Sequence, residues 1–145
     1  MDFLKTTDFF TVIQPDELTD VVGKYTEITD LGSVILDTLE LEAIGEMTGY
    51  LAVRFDASKC FEEDENNKRI AIIIQKCVDI VLYNAYASVH PNNVPKLRST
   101  RYENAVNWLE KVASGYINPK LPTKADQPKT PLRYNSSQKK LDNFF

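Results

Sequence analysis

The chain has 145 residues, of which 43% are hydrophobic and 26% charged, so one globular domain with a core is expected. Its formal net charge of −4 argues against a general nucleic-acid binder. The charge is unevenly divided: residues 1–115 carry 11 Lys and Arg against 19 Asp and Glu, whereas residues 116–145 carry six against two. The sequence therefore predicts an acidic body followed by a basic tail.

Several protein classes are disfavoured by the same composition. No stretch approaches about 18 uncharged apolar residues, as a membrane span would, and Asp2 stands where a signal peptide carries basic charge. Cys60 and Cys77 are too few for a disulfide framework and are expected to be reduced thiols. A single histidine, His90, argues against zinc sites and histidine-based triads. We therefore expect no enzyme, no cofactor and no metal.

The first two predicted helices cover about residues 15–23 and from 30–33 to about 55. Pro15 followed by two acids is typical of a helix start. Leu36, Leu39, Ala43 and Met47 recur at helical spacing in the second helix. Its acids are expected on a solvated face rather than as catalytic pairs; they are Asp37, Glu40, Glu42 and Glu46.

The third predicted helix, about residues 68–89, is apolar almost all round. The acidic segment 61–67 before it lacks the central glycine of a calcium loop and is predicted to be solvated. The helix leaves only a narrow polar stripe of Lys68, Gln75, Lys76 and Asp79. Such a helix is buried on several sides, so it is either central to the fold or partly covered by another subunit.

A stiff connection over residues 90–95 ends the third predicted helix, so His90 lies at the C-terminus of that helix, and the fourth predicted helix has its N-cap at Thr100. Thr100 and Glu103 have the spacing of a capping box, and Gly115 supplies a left-handed stop. Trp108 lies beside the apolar stripe and is expected at its border or in an interface.

Beyond this helix, prolines and polar residues predict an extended chain. The fold class is therefore all-α: a small bundle of about four helices over residues 1–115, with a long extended C-terminal tail over residues 116–145. Basic charge and terminal apolar residues suit a docking segment. The candidate docking residues are Arg133, Tyr134, Lys139, Lys140, Leu141, Phe144 and Phe145.

Several segments resemble, in order, motifs of a phage protein family. Residues 48–55 contain Gly49-Tyr50-Leu51 and Arg54, and residues 90–98 end in Arg98. Residues 101–115 contain Arg101-Tyr102, Ala105 and Trp108-Leu109, and residues 117–122 continue the series. The series is similar to that of the Mu-like and related head–tail connector proteins, also termed head-completion or adaptor proteins. Residues 133–145 resemble the ending of some relatives, with Asn135 in place of a glycine.

The resemblance implies a helical domain that assembles into a cyclic, dodecameric ring beneath the portal protein. Its expected partners are the portal, neighbouring copies, the next neck or tail-completion protein, and viral DNA that passes through without sequence recognition. No membrane, cofactor or catalytic residue is implied. The expected location is the virion neck, after assembly in the host cytoplasm. The candidate interface residues are Tyr50, Arg54, Arg98, Arg101, Tyr102 and Trp108.

Two alternatives concern the tail. Residues 138–145 match the box by which replication proteins bind a sliding clamp: Gln138, then an aliphatic residue at Leu141, then Phe144 and Phe145. The six basic residues of the tail could also bind DNA directly, with strongly salt-dependent affinity.

Overall fold

The computed structural model describes residues 1–23 and 31–125, with side chains from residue 34 onward in the second range. These residues form six α-helices and no strand, which confirms the all-α fold. The helices are α1 Thr6–Phe9, α2 Pro15–Gly23, α3 Leu31–Leu51, α4 Ala57–Cys60, α5 Ala71–Val89 and α6 Lys96–Ala113. The four longer helices correspond to the predicted ones, and the two four-residue helices were not foreseen because one turn carries no periodicity.

Helix α5 lies at the centre of the described fold. It packs against α6 and α3 along its length and against α1 and α2 at the sides. Ile73, Ile80, Val81 and Leu82 are fully buried. By length and composition α5 could cross a membrane, but the central helix of a folded core meets the same criterion, and half of it is buried here. The apolar surface of α5 is therefore largely covered by other helices of the same chain.

Two predicted helix limits were wrong. Helix α6 begins at Lys96, with Pro95 at the N-cap, so Thr100 lies inside the helix and does not cap it. The carbonyl of Pro95 accepts the N–H groups of Arg98 and Ser99, which starts the helix one turn early. Helix α3 ends at Leu51, because the N–H of Arg54 turns back to the carbonyl of Leu51 in a tighter, three-residue step.

Two acids expected in solvent are buried. Glu40 is 2% exposed, and its Oε1 accepts the backbone N–H groups of Phe3 and Leu4. Asp79, assigned to the polar stripe of α5, is 5% exposed and faces Arg101. Periodicity within one helix could not reveal either burial, because both partners come from distant parts of the chain.

The first residues of the predicted tail lie against the body. Leu121 is buried in the core, and the carbonyl of Pro122 accepts the N–H of Asp56. Thr123 forms an isolated antiparallel bridge with Phe55. The division at residue 115 stays a prediction, and the tail residues from Arg133 to Phe145, with the clamp-like box, lie outside the described residues.

Candidate interaction site

The seam between α5 and α6 is closed by an ion pair. The Nε of Arg101 lies 2.7 Å from Oδ1 of Asp79, at a position where the carboxylate is nearly removed from water. Burial raises the pKa of Asp79, and the hydrogen bond and charge of Arg101 oppose that rise without cancelling it. Arg101 therefore compensates a buried charge inside this chain.

Aromatic side chains continue the same seam. The ring of Tyr102 stacks on that of Tyr83 at a centroid distance of 4.2 Å, and its hydroxyl donates to Oε1 of Glu46 on α3. Burial, followed by the hydrogen bond to Glu46, raises the pKa of Tyr102 to about 12. Further along, Nζ of Lys76 lies 5.9 Å from the ring centroid of Trp108. Tyr102 thus links three helices.

Arg54 holds the end of α6 and the segment that follows it. Its Nη1 donates to the carbonyls of Val112, at 2.9 Å, and Ile117, at 3.3 Å, while Nη2 donates to Oδ1 of Asn118. Gly115 makes the required turn with φ of 82°. We call this arrangement the C-terminal clasp.

Arg98 joins the start of α6 to the N-terminal segment. It is 5% exposed, donates from Nη2 to the carbonyl of Val12 at 3.0 Å, and lies over the ring of Tyr86. The hydroxyl of Tyr86 donates to Glu17 of α2. Burial and this hydrogen bond raise the pKa of Tyr86 to about 12. Arg98 therefore connects α6 to α5 and to the segment that precedes α2.

The six candidate interface residues do not form one surface patch. Arg101, Tyr102 and Trp108 share the side of α6 that faces α5, whereas Arg54 and Arg98 act near opposite ends of that helix. Tyr50 is half-buried on α3 against the core. Most of their polar groups are engaged within the chain, so these motif residues shape the subunit.

Sequence reasoning missed a second ion pair, which is partly buried. Both Nη atoms of Arg69 contact the carboxylate of Asp8, at 2.6 and 3.1 Å, and Nη1 also donates to the carbonyl of Phe3. Burial opposes ionisation of Asp8, but the hydrogen bonds from Arg69 and from the backbone N–H of Lys5, together with the charge of Arg69, outweigh it and lower the pKa of Asp8. Asp8 and Arg69 are 61 residues apart, and no sequence pattern connects them, so the sequence does not indicate that they form a pair.

This pair predicts a pH-dependent loss of stability. Replacing Asp8 with Asn should lower the free energy of unfolding by about 2 kcal/mol at neutral pH, since Arg69 loses a charged partner. A lowered carboxyl pKa stabilises the fold above the unfolded value, 3.8, and that contribution disappears as the pH falls through the folded pKa. The difference between wild type and Asp8→Asn in urea unfolding should therefore shrink between pH 5 and about pH 2.

The exposed Asp20 on α2 provides the matched control. Asp20→Asn should change stability by less than about 0.5 kcal/mol at any of these pH values. An undiminished difference for Asp8→Asn at low pH would contradict the pairing.

The described residues bear on metal binding and on the state of the cysteines. They contain no group of three or more His, Cys, Asp or Glu side chains that could hold a metal ion. Both cysteines are free and buried. Burial raises the pKa of the Cys60 thiol to about 11 and raises that of Cys77 as well, so neither is a thiolate at neutral pH.

One helix face has no partner in the described chain. Apolar residues lie on all sides of α3, and the side away from the core is exposed at Val34, Thr38, Leu41, Gly45 and Gly49. We call these five residues the outer face of α3. A Cβ added at Gly45 or Gly49 would meet nothing within 4 Å. Another backbone could therefore approach this helix closely.

Comparison with known proteins identifies the family. The model of the bacteriophage Mu Gp36 family matches residues 3–137. The chain belongs to the bacteriophage Mu Gp36 family. Membership indicates a Mu-like phage protein of the structural or morphogenesis class. No curated protein and no solved structure matches the chain.

The Gp36 match includes all six helices and much of the basic tail. It also includes every residue of the C-terminal clasp and of the α5–α6 seam. Residues 138–145 lie beyond the matched range. For this Gp36 family member, the part that the motif residues play in a subunit interface stays a prediction.

Proposed function

We propose that this Gp36 family protein is a non-catalytic head–tail connector. It forms a ring beneath the portal, extends the DNA channel and joins the head to the next neck or tail component, in the neck of the virion. The family match over residues 3–137 carries the proposal, because it joins the chain to Mu-like phage proteins over body and tail together. The ordered motif resemblance to connector proteins supplies the finer role.

The outer face of α3 supports assembly from several copies. Val34 is 57% exposed on this face, although an apolar helix face normally lies against another element. Identical subunits around an axis cover such a face without a second protein species. The two glycines, four residues apart, allow close helix packing.

Charge supports passage of DNA through the ring. The body, residues 1–115, has a formal excess of acids, 19 against 11 basic residues. An acidic channel wall repels phosphates, so DNA moves past it without being held. The surplus positive charge is confined to the tail, which suits attachment to a protein surface.

The expected result of electron microscopy on the purified protein with its portal is a closed ring below the portal. Gly45→Lys should prevent that ring, because it places a long charged side chain on the outer face of α3. The variant should still fold, and its free energy of unfolding should be unchanged or rise by up to about 1 kcal/mol, because the site is open and lysine favours helices more than glycine.

Asn104→Lys is the matched control, because it adds the same charge at an exposed position on α6. This variant should form normal rings. Normal rings from Gly45→Lys would exclude the outer face of α3 as the interface, and a wild-type protein that adds no density to the portal would overturn the connector role.

A further inference from the structure

A cleft beside the outer face of α3 combines apolar and acidic groups. It has a volume of about 300 Å³ and lies between the N-terminal segment, α3 and the residue that follows α4. Its apolar lining includes Leu41, Ile44 and Phe61, and its acids include Asp2 and Asp37. Phe61 packs edge-to-face on Phe3, at a centroid distance of 5.4 Å. We call it the N-terminal cleft.

We propose that the N-terminal cleft binds the C-terminal segment of this protein, residues 139–145. The proposal deepens the connector function by naming what holds the tail, and it rests on that function only for its purpose in the particle. The segment carries Lys139 and Lys140, followed by Leu141 and the pair Phe144-Phe145. Basic charge followed by large apolar side chains complements an apolar cleft with an acidic rim.

Charge favours this cleft over the other cleft of similar size. No lysine or arginine lines it, and its single positive group, the N-terminal ammonium of Met1, is paired with Asp37. Asp2 is exposed at the rim, and Glu40 adds a further carboxylate to the lining, so the cleft keeps a net negative charge. A second cleft of similar size is lined by three bases, Lys59, Lys68 and Arg69, and by an equal number of acids, so it has no net charge to attract the basic segment.

Size also agrees with the proposed occupant. A cavity of about 150 Å³ is enough to hold a benzene molecule, so a cleft of about 300 Å³ has room for one or two phenyl rings. Leu41 is 70% exposed at the edge of the cleft, so a phenyl group that enters the cleft would cover apolar surface that is now in water.

The chain has the reach to deliver the segment. The body holds the start of the tail through Pro122 and Asp56, and Nζ of Lys124 contacts the carbonyl of Val53. Asp56 caps α4, whose far end leads into Phe61. Thirteen residues separate Ala125 from Lys139, and an extended chain of that length spans about 45 Å. Tethering raises the effective concentration, so modest affinity suffices.

A peptide titration on the full-length protein tests the proposal. The probe is a fluorescent peptide of residues 133–145, and the receptor is the full chain with Phe144→Ser and Phe145→Ser, so that its own tail does not compete. We expect saturable binding that weakens as salt is raised, because screening reduces the attraction between the lysines and the acidic rim. A peptide with Lys139→Glu and Lys140→Glu should bind at least tenfold more weakly.

Paired receptor variants locate the site. Leu41→Lys should weaken binding at least tenfold, because it removes an apolar contact and adds repulsion at the cleft. Leu97→Lys is the control, since Leu97 is 60% exposed at the start of α6. It should bind as the parent does. Equal affinity for both variants, or no binding of the wild-type peptide, would overturn the proposal.

Photo-crosslinking in the otherwise wild-type chain gives an independent readout. A benzophenone amino acid in place of Phe144 should crosslink to residues 37–44 or to Phe61. Crosslinks confined to other parts of the body would overturn the assignment. Neither experiment contains portal or needs a ring. A negative result in either would therefore not contradict the connector function, and failure to observe a ring would not contradict docking of the tail.

Discussion

Replacing Arg101 with Met is expected to lower the free energy of unfolding by about 3 kcal/mol. Asp79 is 5% exposed, and Arg101 provides its ion pair at 2.7 Å. The methionine keeps most of the apolar stem but leaves a carboxylate in the α5–α6 seam without compensation. Urea unfolding followed by far-ultraviolet circular dichroism at pH 7 measures the loss.

The pH dependence of this variant has a definite sign. The pKa of Asp79 is raised by burial even with Arg101 present, and loss of the arginine raises it further. A raised carboxyl pKa means that the folded state takes up a proton more readily than the unfolded chain. The loss of unfolding free energy caused by Arg101→Met is therefore largest at neutral pH, and it becomes smaller as the pH falls through the pKa of Asp79 in the folded variant.

A double variant separates the charge from packing. Asp79→Leu combined with Arg101→Met removes both charges. The free energy of unfolding of this double variant should therefore lie within about 1.5 kcal/mol of the wild-type value and exceed that of Arg101→Met alone. If the double variant were less stable than the single one, the seam would depend on more than compensation of the buried carboxylate.

Arg54→Met is expected to cost about 2 kcal/mol and to release the C-terminal clasp. The guanidinium donates to the carbonyls of Val112 and Ile117 and to Asn118, so its loss leaves these acceptors unsatisfied. The segment around Leu121 would then separate from the body more often. Trypsin should cleave after Lys120 several-fold faster in the variant, and the Asp56 N–H, bonded to Pro122, should exchange faster.

Lys111→Met is the control for this prediction, because it removes an exposed cation near the same end of α6. It should leave cleavage after Lys120 unchanged. Gly115→Ala should reproduce part of the Arg54 effect, at a cost of about 1 kcal/mol, since its φ of 82° disfavours a side chain. Unchanged cleavage in Arg54→Met would show that the clasp does not hold the segment.

Local patterns were sufficient for the long helices but not for their ends. Apolar spacing located α3 and α6, an almost continuous apolar run located α5, and Pro15 followed by two acids located α2. The start of α6 was misplaced because the Thr100–Glu103 pattern competed with Pro95, and only the observed backbone bonds decide between two local signals. The end of α3 was placed about four residues too late, because the change to three-residue backbone bonds after Leu51 is visible only in the structure.

For the motif residues as well, the sequence located the side chains but did not reveal their contacts. The resemblance singled out Arg54, Arg98 and Arg101 without indicating what each contacts. Tertiary packing supplies the answers: the C-terminal clasp, the hydrogen bond to Val12 and the compensation of Asp79. The Asp8–Arg69 pair and the N-terminal cleft had no local signal, since each joins elements that are far apart in the chain.

By itself, the sequence determined the helical class of this protein, the acidic body with its basic tail, and its kinship with phage proteins. These properties depend on composition, periodicity and motif order, which are local or additive along the chain. Tertiary structure alone decided which acids are buried, that α5 is central, and that α3 keeps an exposed apolar face. Those depend on which distant groups meet, because burial and charge compensation are properties of pairs in space.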